Sequence, residues 1–403
     1  MTERILDRLD STALMPPPGK NTYEDVIIRG EAKEIELANI EKSITTLWQV
    51  ATKDESEDLA PVMRACVFNL VIFTESDEGL EQATDTIAKL TWSYPCRAIV
   101  LIARPNLPED SMNAWISAQC QLPDPNGMKV CCEQVTVEGS NLAMERLGSM
   151  VLPLLVPDLP VILWWPGDPT LQGPLFERLM DTSDRLIVDS RRFLDPVCSF
   201  KRLAALSEMR YRGVAFSDLN WARLTPWRRL IAQFFDPPNM MPYLSHFEDI
   251  VIDYEAPGKE SEPNFSQALL LVGWLGHQLG WKEAFSLQKH KYNASLIVNA
   301  GGKPLNIKFI GHNDCCEESG GITAIKITAT ILPENRAATF SIKLKQNYEQ
   351  VEISTEESSK PPRSRALGFV RRDEVALLSE DLAVVKHDRM YEAALALAGK
   401  LTG

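Results

Sequence analysis

Arginine and tryptophan are the residues of this chain whose grouping points to chemistry. Between Arg185 and Arg229 stand ten basic residues: Arg185, Arg191, Arg192, Lys201, Arg202, Arg210, Arg212, Arg223, Arg228 and Arg229. The same span holds four acids, Asp189, Asp195, Glu208 and Asp218, so a local positive excess sits in a chain of net charge −13. Guanidinium groups grip phosphates and carboxylates as two-pronged donors, and Arg with Trp is enriched in interface hot spots. Three readings stand side by side: a solvated helix surface with internal ion pairs, an anion site, and a docking face. Arg191 and Arg192 directly follow the apolar run RLIVDS, and in open α/β sheets ligands gather at the carboxyl ends of strands. A second basic group, Arg363, Arg365, Arg371 and Arg372, brackets a Ser- and Pro-bearing stretch before the last helix.

Catalytic signatures are missing from the sequence. It has no GxGxxG, no GxxxxGK[ST] and no GxSxG. The five histidines (His246, His277, His290, His312 and His387) are scattered without metal-ligand spacing. His277, among apolar helix residues, reads as a core histidine, and His312 in a Gly-His-Asn-Asp loop is the best general-base candidate. No catalytic residue, metal or cofactor is indicated. Eight cysteines are too few and too irregular for a disulfide framework. Two pairs are vicinal, Cys131-Cys132 and Cys315-Cys316, and read as reduced, partly buried thiols. Cys315-Cys316, in a polar loop, is the more exposed redox candidate, although Asp314, Glu317 and Glu318 would raise its thiol pKa.

The elements that must position these residues fall into two textures. From Arg64 apolar runs alternate with helical stretches: RACVFNLVIFT, CRAIVLIARP, MKVCCEQVTVEG, PVILWW and RLIVDS read as strands. This order predicts an α/β domain over residues 1–243, with a mainly parallel sheet, an N-terminal arm and a helix over 39–51. Residues 200–235 read as helical, with Pro226 kinking or splitting the second piece so that Thr225 opens its latter part. Residues 244–403 predict an α+β domain: an apolar helix, an antiparallel meander of period-two strands, a linker TEESSKPPRSRA, and a closing helix from Asp373. In PVILWWPGDP, alternation puts Trp164 and Trp165 on opposite faces; Trp164 is expected under a helix and Trp165 at the rim, beside Asp168. The acidic balance speaks against nucleic acid, no apolar run reaches membrane-spanning length, and a cytoplasmic location is expected.

In sequence order, LPVILWWPGDP, RLIVDSRRF and DLNWARLTPWRRLIAQFFD resemble the OpcA family of glucose-6-phosphate dehydrogenase assembly proteins, known from cyanobacteria and actinobacteria. The resemblance runs on through the Ala/Leu-rich final helix. It implies a non-enzymatic partner that binds the dehydrogenase, favours its active oligomer, and in cyanobacteria answers to thioredoxin. Residues placed at such a docking face are Trp165, Asp168, Arg191, Arg192, Trp221, Arg223, Trp227, Arg228 and Arg229. Redox candidates are Cys131, Cys132, Cys315 and Cys316; no cysteine follows Cys316, so a switch built on C-terminal cysteines cannot operate here in that form. A rival reading makes the crevice near Trp165, Gly167, Arg191 and Arg192 a sugar-phosphate or nucleotide site of a sensor or enzyme.

Overall fold

The computed structural model describes residues 26–29, 33–35, 39–53, 62–108, 111–122, 129–140, 151–169, 173–211, 213–256, 264–281, 287–312, 320–332, 334–346, 348–358, 360–384 and 387–401. Cys315 and Cys316, and most of the helix expected after Ser140, lie outside them. Strands in chain order are β1 (Val26–Arg29), β2 (Lys33–Ile35), β3 (Val62–Arg64), β4 (Phe68–Thr74), β5 (Cys96–Ala103), β6 (Met112–Leu122), β7 (Lys129–Gly139), β8 (Val161–Trp165), β9 (Arg185–Val188) and β10 (Ala215–Asp218). These form one sheet in which β7, β5, β4, β8, β9 and β10 run parallel in that spatial order. By chain order the six read 3-2-1-4-5-6, the doubly wound arrangement whose winding reverses between β4 and β8. β6 pairs antiparallel with β7, and β1 and β2 pair with β6.

Burial explains the apolar runs. β5 is buried along its whole length and β4 in all but its last residue, because layers cover both faces. On one face Leu70, Ile72, Val100 and Trp164 meet Ala83, Ile87 and Leu90 of helix α2 (Asp77–Leu90). The other face carries Val71, Phe73 and Trp165 and faces helix α1 (Ile40–Lys53) and α3 (Pro174–Met180). Helix α4 (Pro196–Ala205) starts at the Asp195 cap. Residues 200–235 are not continuously helical, since β10 interrupts them as a sixth parallel strand. Asp218 ends that strand and caps α5 (Leu219–Arg223); Pro226 lies in the first turn of α6 (Thr225–Phe235), so the expected break falls at Leu224.

The second sheet holds β11 (Phe247–Glu255), β12 (Gln288–His290), β13 (Asn293–Ala300), β14 (Lys303–His312), β15 (Ile322–Ile331), β16 (Arg336–Leu344), β17 (Gln350–Glu357) and β18 (Arg363–Gly368). It is mixed rather than a pure meander, because β11 inserts parallel to β14 and antiparallel to β15. The stretch expected as a linker is instead β18, an exposed edge strand paired with β17. One face of this sheet packs on α6 and on α7 (Ser266–Leu279), with Phe265 stacked on Phe309 and Phe234 and Phe235 against Phe340.

Helices α8 (Glu374–Leu382) and α9 (Arg389–Leu401) return to the first sheet. Leu377 and Leu378 join the core that holds Trp164, and α9 lies between α7 and α4. Glycine makes that approach possible: a Cβ on Gly273 would stand 2.3 Å from the carbonyl oxygen of Ala394, and one on Gly399 would stand 3.2 Å from that of Phe200. Arg185 ties β9 to α8 by donating to the carbonyl of Asp381 at 2.7 Å and to that of Val384. No helix among the described residues is long and apolar enough to cross a membrane.

Candidate functional site

The carboxyl ends of β9 and β10 carry the two aspartates that organise the candidate site. Asp189 caps the turn Ser190–Arg192 by accepting from the Arg191 N–H, and Asp218 accepts from the backbone N–H groups of Ser190 and Asn220. Beneath the turn lies a buried polar network. Asn220 donates to Ser190 Oγ, Gln267 donates to Asn220 Oδ1, and Gln267 Oε1 accepts from the Ile322 N–H. Asn264 Nδ2 donates to the carbonyls of Ser190, Arg191 and Phe193 at 2.8–3.2 Å. Residues of the second unit therefore fix the backbone that presents Arg191 and Arg192. Burial, with the Asp189 charge close by, pushes the Asp218 carboxyl up to about 7. Its Oδ2 is buried and finds no hydrogen-bond partner among the described residues.

The arginines converge on a cleft above this network. Arg223 forms a two-pronged ion pair with buried Asp189 at 2.7 and 2.9 Å. Arg192 reaches Glu374 at 2.9 Å, across the cleft. Arg371 lies over the Tyr348 ring at 4.2 Å, and Arg372 donates to the Ala222 carbonyl at 2.9 Å and pairs with Glu380. Three of the ten basic residues of the first group and two of the four of the second thus meet in one place. Arg363 and Arg365 do not: they stand on exposed β18.

The remaining expected site residues separate into buried and exposed sets. Trp164 and Trp165 are 2% and 1% exposed, on opposite faces as alternation requires. Trp165 is not at the rim. It stacks on Phe73 at 4.0 Å and meets the edge of Phe176, rings that close over the end of β8. Asp168 is buried and accepts from Ser199 Oγ. Trp221 is buried, donates its indole N–H to Asp388 at 2.8 Å, and carries the Arg228 guanidinium 3.5 Å from its ring centroid. Burial pushes Arg228 down to about 10. Trp227 is buried against Phe369. Arg192 and Arg229 are exposed, and Arg191 and Arg223 are half-buried. His277, expected in the core, is exposed on the last turn of α7, because that helix buries its other sides. Exposed His312 lies 3.4 Å from Asp253 on the second sheet, away from the arginine cleft.

Cys131 departs from the expectation of a reduced thiol: it is bonded to Cys120, its register partner across β6 and β7. Cys132 cannot share that bond, since neighbours on a strand face opposite ways. It stays a buried thiol that hydrogen-bonds with Thr91 Oγ1 at 3.1 Å and with Cys96.

At the reversal point between β4 and β8, the first turn of α2 occupies the place where a doubly wound fold cradles a pyrophosphate. Ser76 Oγ accepts from the Gly79 N–H, and Asp77 and Glu78 put two carboxylates into that turn. Fixed negative charge and a self-capped amide make it a poor pyrophosphate seat. Asn264, Gln267 and Asn220 were not singled out in the sequence; their only signal was polarity inside an apolar helix or beside its start.

Residues 87–205 match the family model described as glucose-6-phosphate dehydrogenase subunit N-terminal domain, and residues 214–395 match the one described as the C-terminal domain of that subunit. The OpcA protein of Synechocystis sp., named for the OxPP cycle, is 37% identical over 216 residues, which is 53% of this chain and 42% of that protein. OpcA of Nostoc punctiforme is 37% identical over 207 residues, 51% of this chain and 42% of that one. The matched stretch therefore spans less than half the length of these relatives. Glucose-6-phosphate 1-dehydrogenase from Mycobacterium avium shares the fold, with TM-score 0.50 at 12% identity over 83% of this chain and 90% of that one.

Proposed function

This chain belongs to the OpcA family of glucose-6-phosphate dehydrogenase assembly proteins, and from that premise we propose that it is a non-catalytic partner of the dehydrogenase. It binds that enzyme and favours its active oligomer, acting in the oxidative pentose phosphate pathway. The observation that carries this reading is the pair of adjacent family models, both described as parts of a dehydrogenase subunit, spread over most of the chain. An activator must bind the active state more tightly than the inactive one, since equal affinity for both would shift nothing.

Docking is assigned to the mouth of the arginine cleft and its surroundings. Arg191, Arg192 and Arg223 supply charge, Leu194 at 71% and Val370 at 79% exposure supply apolar contact, and Arg229 extends the basic surface along α6. Trp165, Asp168, Trp221, Trp227 and Arg228 act from beneath, by holding the elements that present these groups. Redox input through thioredoxin is part of the proposal; the Cys120–Cys131 bridge is buried, so a dithiol would reach it only where β6 and β7 part.

The test is dehydrogenase kinetics and sedimentation with and without this protein, under oxidising and under reducing conditions. Addition of the protein is expected to raise the rate and shift the enzyme to a larger species. Leu194→Asp with Arg229→Glu is expected to weaken the complex by about tenfold or more at unchanged Tm. Unchanged rate and unchanged sedimentation at micromolar protein would refute the assignment. Arg228→Glu is unsuitable as a docking probe, because it places a carboxylate on the face of the Trp221 ring.

A further inference from the structure

We propose that the cleft between the carboxyl edge of the first sheet and the segment 369–374 binds a small phosphorylated metabolite, a phosphomonoester. This goes beyond dehydrogenase docking and does not depend on it. The cleft has a volume of about 460 Å³ and is lined by Arg191, Arg192, Arg223, Arg371 and Arg372. Its lining carboxylates are Asp189, Asp373 and Glu374, and Glu255 and Glu380 pair with Arg371 and Arg372 from just behind, so the cleft offers clustered guanidinium donors rather than an excess of charge. Trp227, Phe369 and Leu377 add an apolar wall for the carbon skeleton. A few charged groups set in an apolar concavity are the composition of a metabolite site rather than of a solvated surface.

The arginines are held before any ligand arrives. Asp189 fixes the Arg223 fork, Tyr348 supports Arg371, and the Ala222 carbonyl holds Arg372. Asn264 holds the turn that carries Arg191 and Arg192. Pre-positioning of this kind removes much of the ordering cost of binding. Burial raises the pKa of Glu374 despite its 2.9 Å pairing with Arg192, the ion pair a phosphate would have to replace at that guanidinium.

A second cavity of about 300 Å³ adjoins the first, sharing Arg192 and Glu374 with it, and lies at the reversal point between β4 and β8. Trp164 lines it, and the Trp164 indole N–H is buried without a hydrogen-bond partner. Such a donor is costly unless a ligand or water accepts from it. The ligand is small rather than a dinucleotide, because Ser76, Asp77 and Glu78 fill the pyrophosphate position and Thr74 Oγ1 lies 2.0 Å from where a Cβ on Gly79 would stand.

The experiment is calorimetry on the full chain without dehydrogenase, titrating glucose 6-phosphate, glucose, inorganic phosphate and NADP⁺ separately. Glucose 6-phosphate is expected to bind with Kd below about 1 mM, and glucose to give no heat. Arg371→Ala and Arg191→Ala are each expected to weaken binding by about tenfold in protein that circular dichroism shows to be folded, and Arg371→Lys to recover part of the loss. Four results would overturn the proposal: no heat with 10 mM glucose 6-phosphate, equal binding by inorganic phosphate, tighter binding by NADP⁺, or equal affinity in folded Arg371→Ala and Arg191→Ala variants. Because the dehydrogenase is absent, none of these results bears on whether the two proteins associate.

Discussion

Asp218 shows how one buried carboxyl connects the site to solvent pH. Its folded pKa stands above the unfolded value, so the stabilisation it brings is full below about pH 4 and falls as pH rises to about 7, where the folded group ionises. Asp218→Asn keeps an acceptor for the Ser190 and Asn220 amides but cannot ionise. It is expected to raise stability at pH 8 by about 1–3 kcal/mol and to change it little at pH 5, measured by urea unfolding at both values. A gain of the same size at both pH values would show that ionisation is not the cause. The residue scale is also where sequence reading went furthest and then stopped. The period-two rule put Trp164 and Trp165 on opposite faces, but no local rule reveals that Phe73 and Phe176, 92 and 11 residues away, cap the second ring. Likewise Arg228 reads as surface charge until Trp221 is seen beneath it.

Among the elements, α7 and α9 make the sharpest case. Replacing Gly with Ala in an exposed helix interior normally stabilises by about 1 kcal/mol. At Gly273 the added methyl would overlap the Ala394 carbonyl, a backbone atom that can yield only if α9 moves. Gly273→Ala is therefore expected to lower stability by about 2 kcal/mol and to reduce Tm, in a thermal melt beside wild type. An unchanged or raised Tm would mean that the helices separate freely. Strands with strong apolar runs, such as β4, β5 and β8, were legible because burial on both faces leaves no room for polar residues. β6 was not: MNAWISAQCQL mixes polar and apolar positions, Gln119 is buried in hydrogen bonds to Ser117 and Gln134, and the polar face gives no apolar stripe. β10 is four residues between helical patterns, and β18 is an exposed edge whose pairing comes from β17 rather than from its own hydrophobicity.

Across the whole molecule, two basic groups that the sequence separates by more than a hundred residues meet in one cleft. Composition and order suggested two units, an α/β one and one built on an antiparallel-type sheet, but not that the chain crosses back. With α9 wedged between α4 and α7, and Arg185 bound to α8, the two sheets are expected to unfold in one calorimetric transition. Two resolved peaks would contradict that coupling. The return of α8 and α9 also has a consequence in time. Arg185 and its acceptor Asp381 are 196 positions apart, so at about 5–20 residues per second the ribosome needs about 10–40 s to deliver one after the other. For that interval the groove on α4 that Gly399 later fills stands bare, as does the apolar patch awaiting Leu377 and Leu378. The apolar surface of the nascent first sheet that these helices cover is thus left open for as long as the second unit takes to be made.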